Sequence, residues 1–292
     1  MVYTMAAHGT STARLLISCA DARGIVAAVT GFIADHAGNL LDAEQHTDTE
    51  HGEFFMRAVF DLDGCDLTRS NFASVWAPVA DRFAMHWQVY WSDNVKRMAI
   101  LVGKQSHCLQ DLLWRWQARE FDVDIPVIVS NYPTLETLAR DAGIPFHVVP
   151  IEVDGQQAQE EKIRRILDDA GIDLVVLARY MRILQPPFVA AYANRMINIR
   201  HSFLPAFAGS DSYRQAYERG VKIIGATSHY VTEELDRGPI ITQAVIEVSH
   251  HDAVADLRRR GRDLERVVLA RAVGAHLDDR ILVSRNKTVV FS

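Results

Sequence analysis

A chain of 292 residues, 49% hydrophobic and 23% charged, has the composition of one large or two modest globular domains. Its net charge of −6 excludes the basic footprint of a nucleic-acid binder, and no apolar run is long enough to span a bilayer, which excludes a membrane partner. Three widely spaced cysteines, Cys19, Cys65 and Cys108, form no CxxC pair. They indicate neither a disulfide framework nor a zinc site and fit a reducing cytoplasm. Met1 to Thr12 lacks the basic-then-apolar build of a signal peptide.

In chain order, Ala13 to Cys19 predicts a strand, Asp21 to Gly24 a turn, and Gly24 to His36 an amphipathic helix stopped at Gly38. Strands follow at Asn39 to Thr47 and Glu53 to Leu62, the second alternating enough to be half buried. Leu67 to Phe83 reads as a helix and Met85 to Trp91 as a strand. The order is βαββαβ, a ferredoxin-like unit. With the loop Cys19-Ala20-Asp21-Ala22-Arg23-Gly24-Ile25-Val26, this unit resembles an ACT domain over roughly residues 10 to 92. The resemblance implies a regulatory module that pairs through its sheet, with an amino acid as candidate effector. Ala20 and Ala22 stand where that family often has proline, so a purely structural dimerisation module is the other reading.

Ser92-Asp93-Asn94 is a polar break, and it sets the expected domains at residues 1–92 and 96–292. Beyond it, buried strands alternate with helices: Arg97 to Val102, Ile125 to Ser130, Phe146 to Ile151, Leu174 to Ala178 and Ile197 to Ile199 are strands. The helices are His107 to Phe121, Pro133 to Ala142, Gln156 to Ala170 and, near the end, Asp252 to His276. This pattern predicts an α/β fold with a doubly wound, mostly parallel open sheet. Neither GxGxxG nor GxxxxGK[ST] occurs at the first turn of this region, which reads Gly103-Lys104-Gln105-Ser106-His107-Cys108-Leu109. A nucleotide-binding reading therefore lacks its phosphate cradle.

Chemistry-bearing residues gather at Asn198-Ile199-Arg200-His201-Ser202-Phe203-Leu204-Pro205, the tip of a buried strand, where open α/β sheets place their sites. Asn198 is a neutral donor suited to a developing oxyanion, or else a turn cap. Asp236, before Arg237-Gly238-Pro239, could orient or deprotonate a water, or be a solvated loop carboxylate. His229, after Gly225-Ala226-Thr227-Ser228, could face a site or be a satisfied structural histidine.

Taken together, Met181-Arg182-Ile183-Leu184, Asn198 to Pro205 and Gly225 to Gln243 resemble the folate-dependent formyltransferase superfamily over residues 96 to 292. Lys104-x-x-His107-Cys108-Leu109, Gln215 to Lys222 and Gly261-Arg262-Asp263 resemble its formyltetrahydrofolate deformylase branch, in which an ACT-like domain precedes a formyltransferase-like one. The resemblance implies hydrolysis of 10-formyltetrahydrofolate to formate and tetrahydrofolate. Folate is then substrate, with no separate cofactor and no metal. The pterin would lie beside Met181, Arg182, Ile183 and Leu184 and against His229, Val231, Thr232 and Glu233. Catalysis would fall to Asp236, Asn198, Arg200 and His201. A homo-oligomer, dimer or tetramer, in the cytoplasm is expected.

The branch usually reads Asn-Ile-His-His-Ser at the strand tip, so Arg200 occupies the position of the family's catalytic histidine and His201 that of the second. Arginine can stabilise an oxyanion but cannot exchange a proton near neutrality. The expectation is that Asn198 and Arg200 hold the oxyanion while Asp236 places the water, with Arg200 also able to pair with Asp236. A weakened folate-binding paralogue, and formyl transfer to an amine, are the alternatives. Gly209 to Tyr213 lacks a lysine and proline common in the branch, which implies weaker contact with folate's acidic tail.

Overall fold

The computed structural model describes residues 11–153, 155–201 and 212–292. The expectations for Met1 to Thr10, Ser202 to Pro205 and Gly209 to Asp211 lie outside the described residues. The chain divides into two compact units, Met1–Asn94 with Val289–Ser292, and Val95–Thr288.

The first unit runs β1 (Thr12–Ala20), α1 (Ile25–Asp35), β2 (Asn39–Asp48), β3 (Glu53–Asp61), α2 (Phe72–Arg82) and β4 (His86–Trp91). The sheet order is β2-β3-β1-β4, with every pairing antiparallel. This is the expected βαββαβ arrangement. Helix α1 begins at Gly24, whose φ of 91° a side chain would resist. Helix α2 starts later than the periodicity of Leu67 to Phe83 suggests. Thr68 and Asn71 instead cross-bond, Thr68 N–H to Asn71 Oδ1 at 2.7 Å and Asn71 N–H to Thr68 Oγ1 at 3.2 Å, and hold residues 67–71 as a turn. Phe32, Phe72 and Trp76 meet at centroid distances of 4.8 to 6.2 Å and centre this unit's core.

The second unit continues with β5 (Lys96–Val102), α3 (His107–Gln117), β6 (Val123–Ser130), a 3-10 turn (Pro133–Leu135), α4 (Glu136–Asp141), β7 (Phe146–Val148), α5 (Gly155–Asp169) and β8 (Leu174–Ala178). Then come α6 (Pro186–Ala191), β9 (Met196–Arg200), α7 (Ser212–Arg219), β10 (Ile223–Tyr230), β11 (Ile240–Glu247), α8 (Val254–Leu277) and β12 (Ile281–Ser284), and β13 (Lys287–Val290) pairs with β12 and is divided after Thr288 between the two units. The seven-stranded sheet has the order β11-β10-β9-β8-β5-β6-β7. Strands β7, β6, β5, β8 and β9 are mutually parallel, whereas β10 is antiparallel to both of its neighbours.

Alternation along β5 builds both faces of this sheet. Met98, Ile100 and Val102 face α3 and α8, and Ala99 and Leu101 face α5 and α6. Strand β7 is shorter than the apolar run Phe146 to Ile151 because Pro150 cannot donate to a ladder. Helix α3 ends at Gln117 rather than Phe121, as the chain turns through a left-handed Arg119 at φ 57°. Strands β10 and β11, which periodicity does not predict, flank the loop that carries Asp236. From β5 the chain winds outward through β6 and β7, then returns to the other side of β5 at β8. The carboxyl ends of β5 and β8 therefore flank the topological switch point, where open sheets bind ligands.

Candidate active site

A cavity of about 340 Å³ opens on the β8 side of that point, over β8, β9, β10 and the loops that follow β8 and β10. Every side chain expected to catalyse or to bind folate lines it: Asn198, Arg200, His201 and Asp236, and Met181, Arg182, Ile183, Leu184, His229, Val231, Thr232 and Glu233.

Strand register sets the floor. On β9, Asn198 and Arg200 are two residues apart and share a face. On β10, His229 lies opposite Asn198 and Thr227 opposite Arg200. The β10–β11 register shifts between Ser228 and His229, a bulge of the kind that re-aims a side chain beside a site. The His229 ring is buried. Its Nδ1 donates to the Tyr230 carbonyl at 2.9 Å, so the lone pair sits on Nε2. That atom is 3.5 Å from Asn198 Nδ2 and 3.9 Å from Asp236 Oδ1. Burial, reinforced by the Arg200 charge and only partly opposed by the Tyr230 bond, pushes the imidazole pKa below its ordinary value. Arg200 forms an ion pair with the other Asp236 oxygen, Oδ2, and both side chains are largely buried.

Asp236 arrives on a tightly folded loop. Val231 N–H donates to Met196 O at 2.8 Å, Thr232 Oγ1 to Glu234 O at 3.1 Å, and Tyr230 N–H to Pro239 O at 3.0 Å. Gly238 makes this closure possible, since a Cβ there would collide with the Tyr230 carbonyl. Asp236 itself has φ 58°, a left-handed conformation that non-glycine residues seldom adopt. Met181 at φ 56° and Arg179 at φ 62° share it on the facing loop. That loop is tied down by the buried Glu160, which accepts from Gln185 N–H at 3.1 and 3.2 Å and from Gln156 at 2.7 Å. Gln156 in turn donates to Ile183 O at 2.5 Å. Met181, Ile183 and Leu235 stay exposed on the rim, an apolar clamp above a polar floor.

Behind the floor lies a second polar group that sequence reasoning did not assemble. Glu265 of α8, 1% exposed, accepts from Tyr213 OH and is bonded to His107 Nε2, both at 2.8 Å, with Arg179 Nε at 3.4 Å. Arg179 Nη1 also bonds His201 Nδ1 at 2.5 Å, and its Nε reaches Gln105 Oε1 at 3.2 Å. A guanidinium only donates, so Nδ1 of His201 is the acceptor and its ring proton resides on Nε2. Burial alone would raise the Glu265 pKa, but the His107 bond and the Arg179 charge outweigh it and hold the carboxyl below its usual range. The sequence signal was present in the Gly103 to Leu109 turn and in Gly261-Arg262-Asp263. Glycine at 261 leaves room for the Tyr213 ring, and glycine at 103 lets β5 abut the Arg179 carbonyl. Nothing in local pattern joins these segments. His107, Cys108 and Glu265 offer ligand atoms within 4.8 Å of one another, and Arg179 Nε lies 3.4 Å from the same carboxylate.

A formyl transferase family model matches residues 96–273, and an ACT domain model matches 13–67. The fold is thus that of a formyl transferase unit following an ACT unit in the chain. A formyltetrahydrofolate deformylase from Synechocystis sp. is 52% identical over 96% of this chain and 99% of its own, and one from Bacillus subtilis is 47% identical over 96% and 93%. The crystal structure of a formyltetrahydrofolate deformylase from Pseudomonas syringae pv. tomato superposes with a TM-score of 0.95 at 45% identity, covering 98% of this chain and 96% of that one. The chain belongs to the formyltetrahydrofolate deformylase family.

Proposed function

We propose that this chain hydrolyses 10-formyltetrahydrofolate to formate and tetrahydrofolate, using the β9–β10 floor as its reaction centre. One observation carries the mechanism: Asp236 Oδ1 and His229 Nε2, both acceptors, lie 3.9 Å apart. Two acceptors cannot bond each other, but a water donating one hydrogen to each satisfies both and turns its lone pair outward. The pterin slides under Met181, Ile183 and Leu235, with Arg182, Leu184, Val231, Thr232 and Glu233 around its edge, which brings the formyl carbon over that water.

His229, held neutral, takes one water proton as the oxygen attacks the formyl carbon. The carbonyl oxygen becomes an oxyanion between Asn198 Nδ2 and the Arg200 guanidinium. Collapse breaks the C–N bond, and His229 returns its proton to the leaving nitrogen. The second water proton leaves with formic acid, which ionises to formate. Water is the only co-reactant, so the balance calls for no oxidant or reductant. Arg200 stabilises charge where the family histidine would also have exchanged a proton, and His229 supplies that exchange instead. His201 is engaged by Arg179 and shapes the wall.

Formate release by the wild type, Asp236→Asn and Arg200→His tests this reading. The wild type is expected to release formate, and Asp236→Asn to lose about 10³-fold in kcat. Formate release by Arg200→His together with a wild type no faster than Asp236→Asn would sink it. The first unit's role is inferred from its family. Its edge strand β2 is mostly exposed, with Leu40 and Leu41 on it, which suits sheet-to-sheet pairing into a homo-oligomer. An amino-acid effector there, and a cytoplasmic location, complete the proposal. No helix among the described residues is long and apolar enough to cross a membrane.

A further inference from the structure

Beside the reaction cavity lies a second pocket of about 260 Å³, walled by Gln105, Arg179, His201, Tyr213, Arg258, Arg262, Glu265 and Ala255. Arg179 and His201 line both pockets, so this pair is the partition between them. Ala255, Arg258, Arg262 and Glu265 follow one face of α8 at spacings of three and four. The pocket is graded: Arg179, His201, Tyr213 and Glu265 are buried at its base, while Arg258 and Arg262 are exposed at its mouth. Three guanidinium groups face a single carboxylate there. Glu265 already serves His107, Tyr213 and Arg179, and Arg262 has no ion-pair partner among the described residues.

We propose that this pocket is a product site that takes up formate and passes it to solvent. The assignment rests on the deformylase reading of the neighbouring cavity. Hydrolysis creates an anion at the Asn198–Arg200 floor, next to a carboxylate, Asp236, that repels it. The partition consists of the Arg179 and His201 side chains, each facing both pockets, and the far side is rich in guanidinium groups, which grip carboxylates through paired N–H donors. Formate has a volume comparable to about two waters, each with a share of about 30 Å³, so the pocket holds it with some of its hydration. The rim arginines draw the anion outward and keep it from returning to the floor.

Formate binding to the full chain, followed by saturation-transfer NMR without folate, tests this directly. Formate inhibition of turnover provides the second reading. Arg262→Gln is exposed enough to fold, and together with Arg258→Gln it should weaken formate binding about tenfold in both readings, with Arg262→Lys restoring most of it. Unchanged formate affinity in the double variant overturns the assignment. So does a result in which the variant loses affinity for inorganic phosphate alone. A rise in the folate KM at constant formate affinity also overturns it, by marking the pocket as a seat for the donor's own carboxylates. A wild type that binds formate by NMR but releases none from substrate would overturn the deformylase reading and, with it, the product role, leaving only a formate-binding pocket.

Discussion

Two charged centres sit back to back at the edge of the same sheet, and they are built in opposite ways. At the cavity floor, Arg200 and Asp236 pair on a left-handed loop, and His229 Nε2 and Asp236 Oδ1 face each other as acceptors. Around Glu265, each group meets a complementary one: His107, Tyr213 and Arg179 satisfy the carboxylate, and Arg179 is shared with Gln105 and His201. The first arrangement keeps capacity open for a reactant. The second closes around Glu265, with Arg262 of the pocket rim left outside it, and fixes α8, α3 and the end of β8 in register. Comparable residue types thus serve chemistry or architecture according to whether hydrogen-bonding capacity is left open.

The comparison breaks most visibly at Glu265. Glu265→Ala leaves the Arg179 guanidinium buried without its carboxylate and should cost about 3–5 kcal/mol of stability. Thermal or urea unfolding would show it, whereas Asp236→Asn keeps an amide oxygen for Arg200 to donate to and should cost less. A Glu265 variant as stable as the wild type would mean that the inner cluster is not architectural.

Acid titration separates the centres next. His229 has a lowered pKa, and His276, buried and accepting from Tyr230 OH at 2.7 Å, is pushed down to about 3. Both imidazoles stay neutral in the fold while the unfolded chain takes up protons below about pH 6.5. Stability is therefore full above that pH and falls as pH drops from there, for His276 down to about 3. The acid limb of kcat/KM, governed by His229, should lie below pH 6.5 as well, and a limb at or above it would exclude His229 as the base. His276→Gln should flatten the stability loss and leave the rate profile in place.

The smallest effect belongs to the rim. Ile183→Ser removes part of the apolar clamp without touching the floor, so the folate KM should rise about threefold, roughly 0.7 kcal/mol, at nearly constant kcat.

Much of this was legible in the chain. Period-2 runs separated by turns marked the first unit, and near-continuous apolar strands marked the second, because burial on one face or on two leaves different patterns. Asn198, Arg200, His229 and Asp236 stood out because polar groups at strand ends and in Gly-Pro loops are where sheets place function. The boundaries of α2 and α3 were less legible, since side-chain turn bonds at Thr68 and Asn71 and a left-handed Arg119 override periodicity.

What the sequence determined by itself is which groups are available: an arginine where a histidine is usual, a histidine at the end of β10, and glycines at 103, 238 and 261. What the tertiary structure alone decided is which of them meet. The antiparallel register that sets His229 against Asn198 and the bulge that turns its ring are such decisions. So is the packing of α8 that brings Glu265 to Arg179 across 86 residues of chain. Each depends on contacts between segments remote in sequence, whose pairing is selected by the burial of the whole sheet rather than by any local preference.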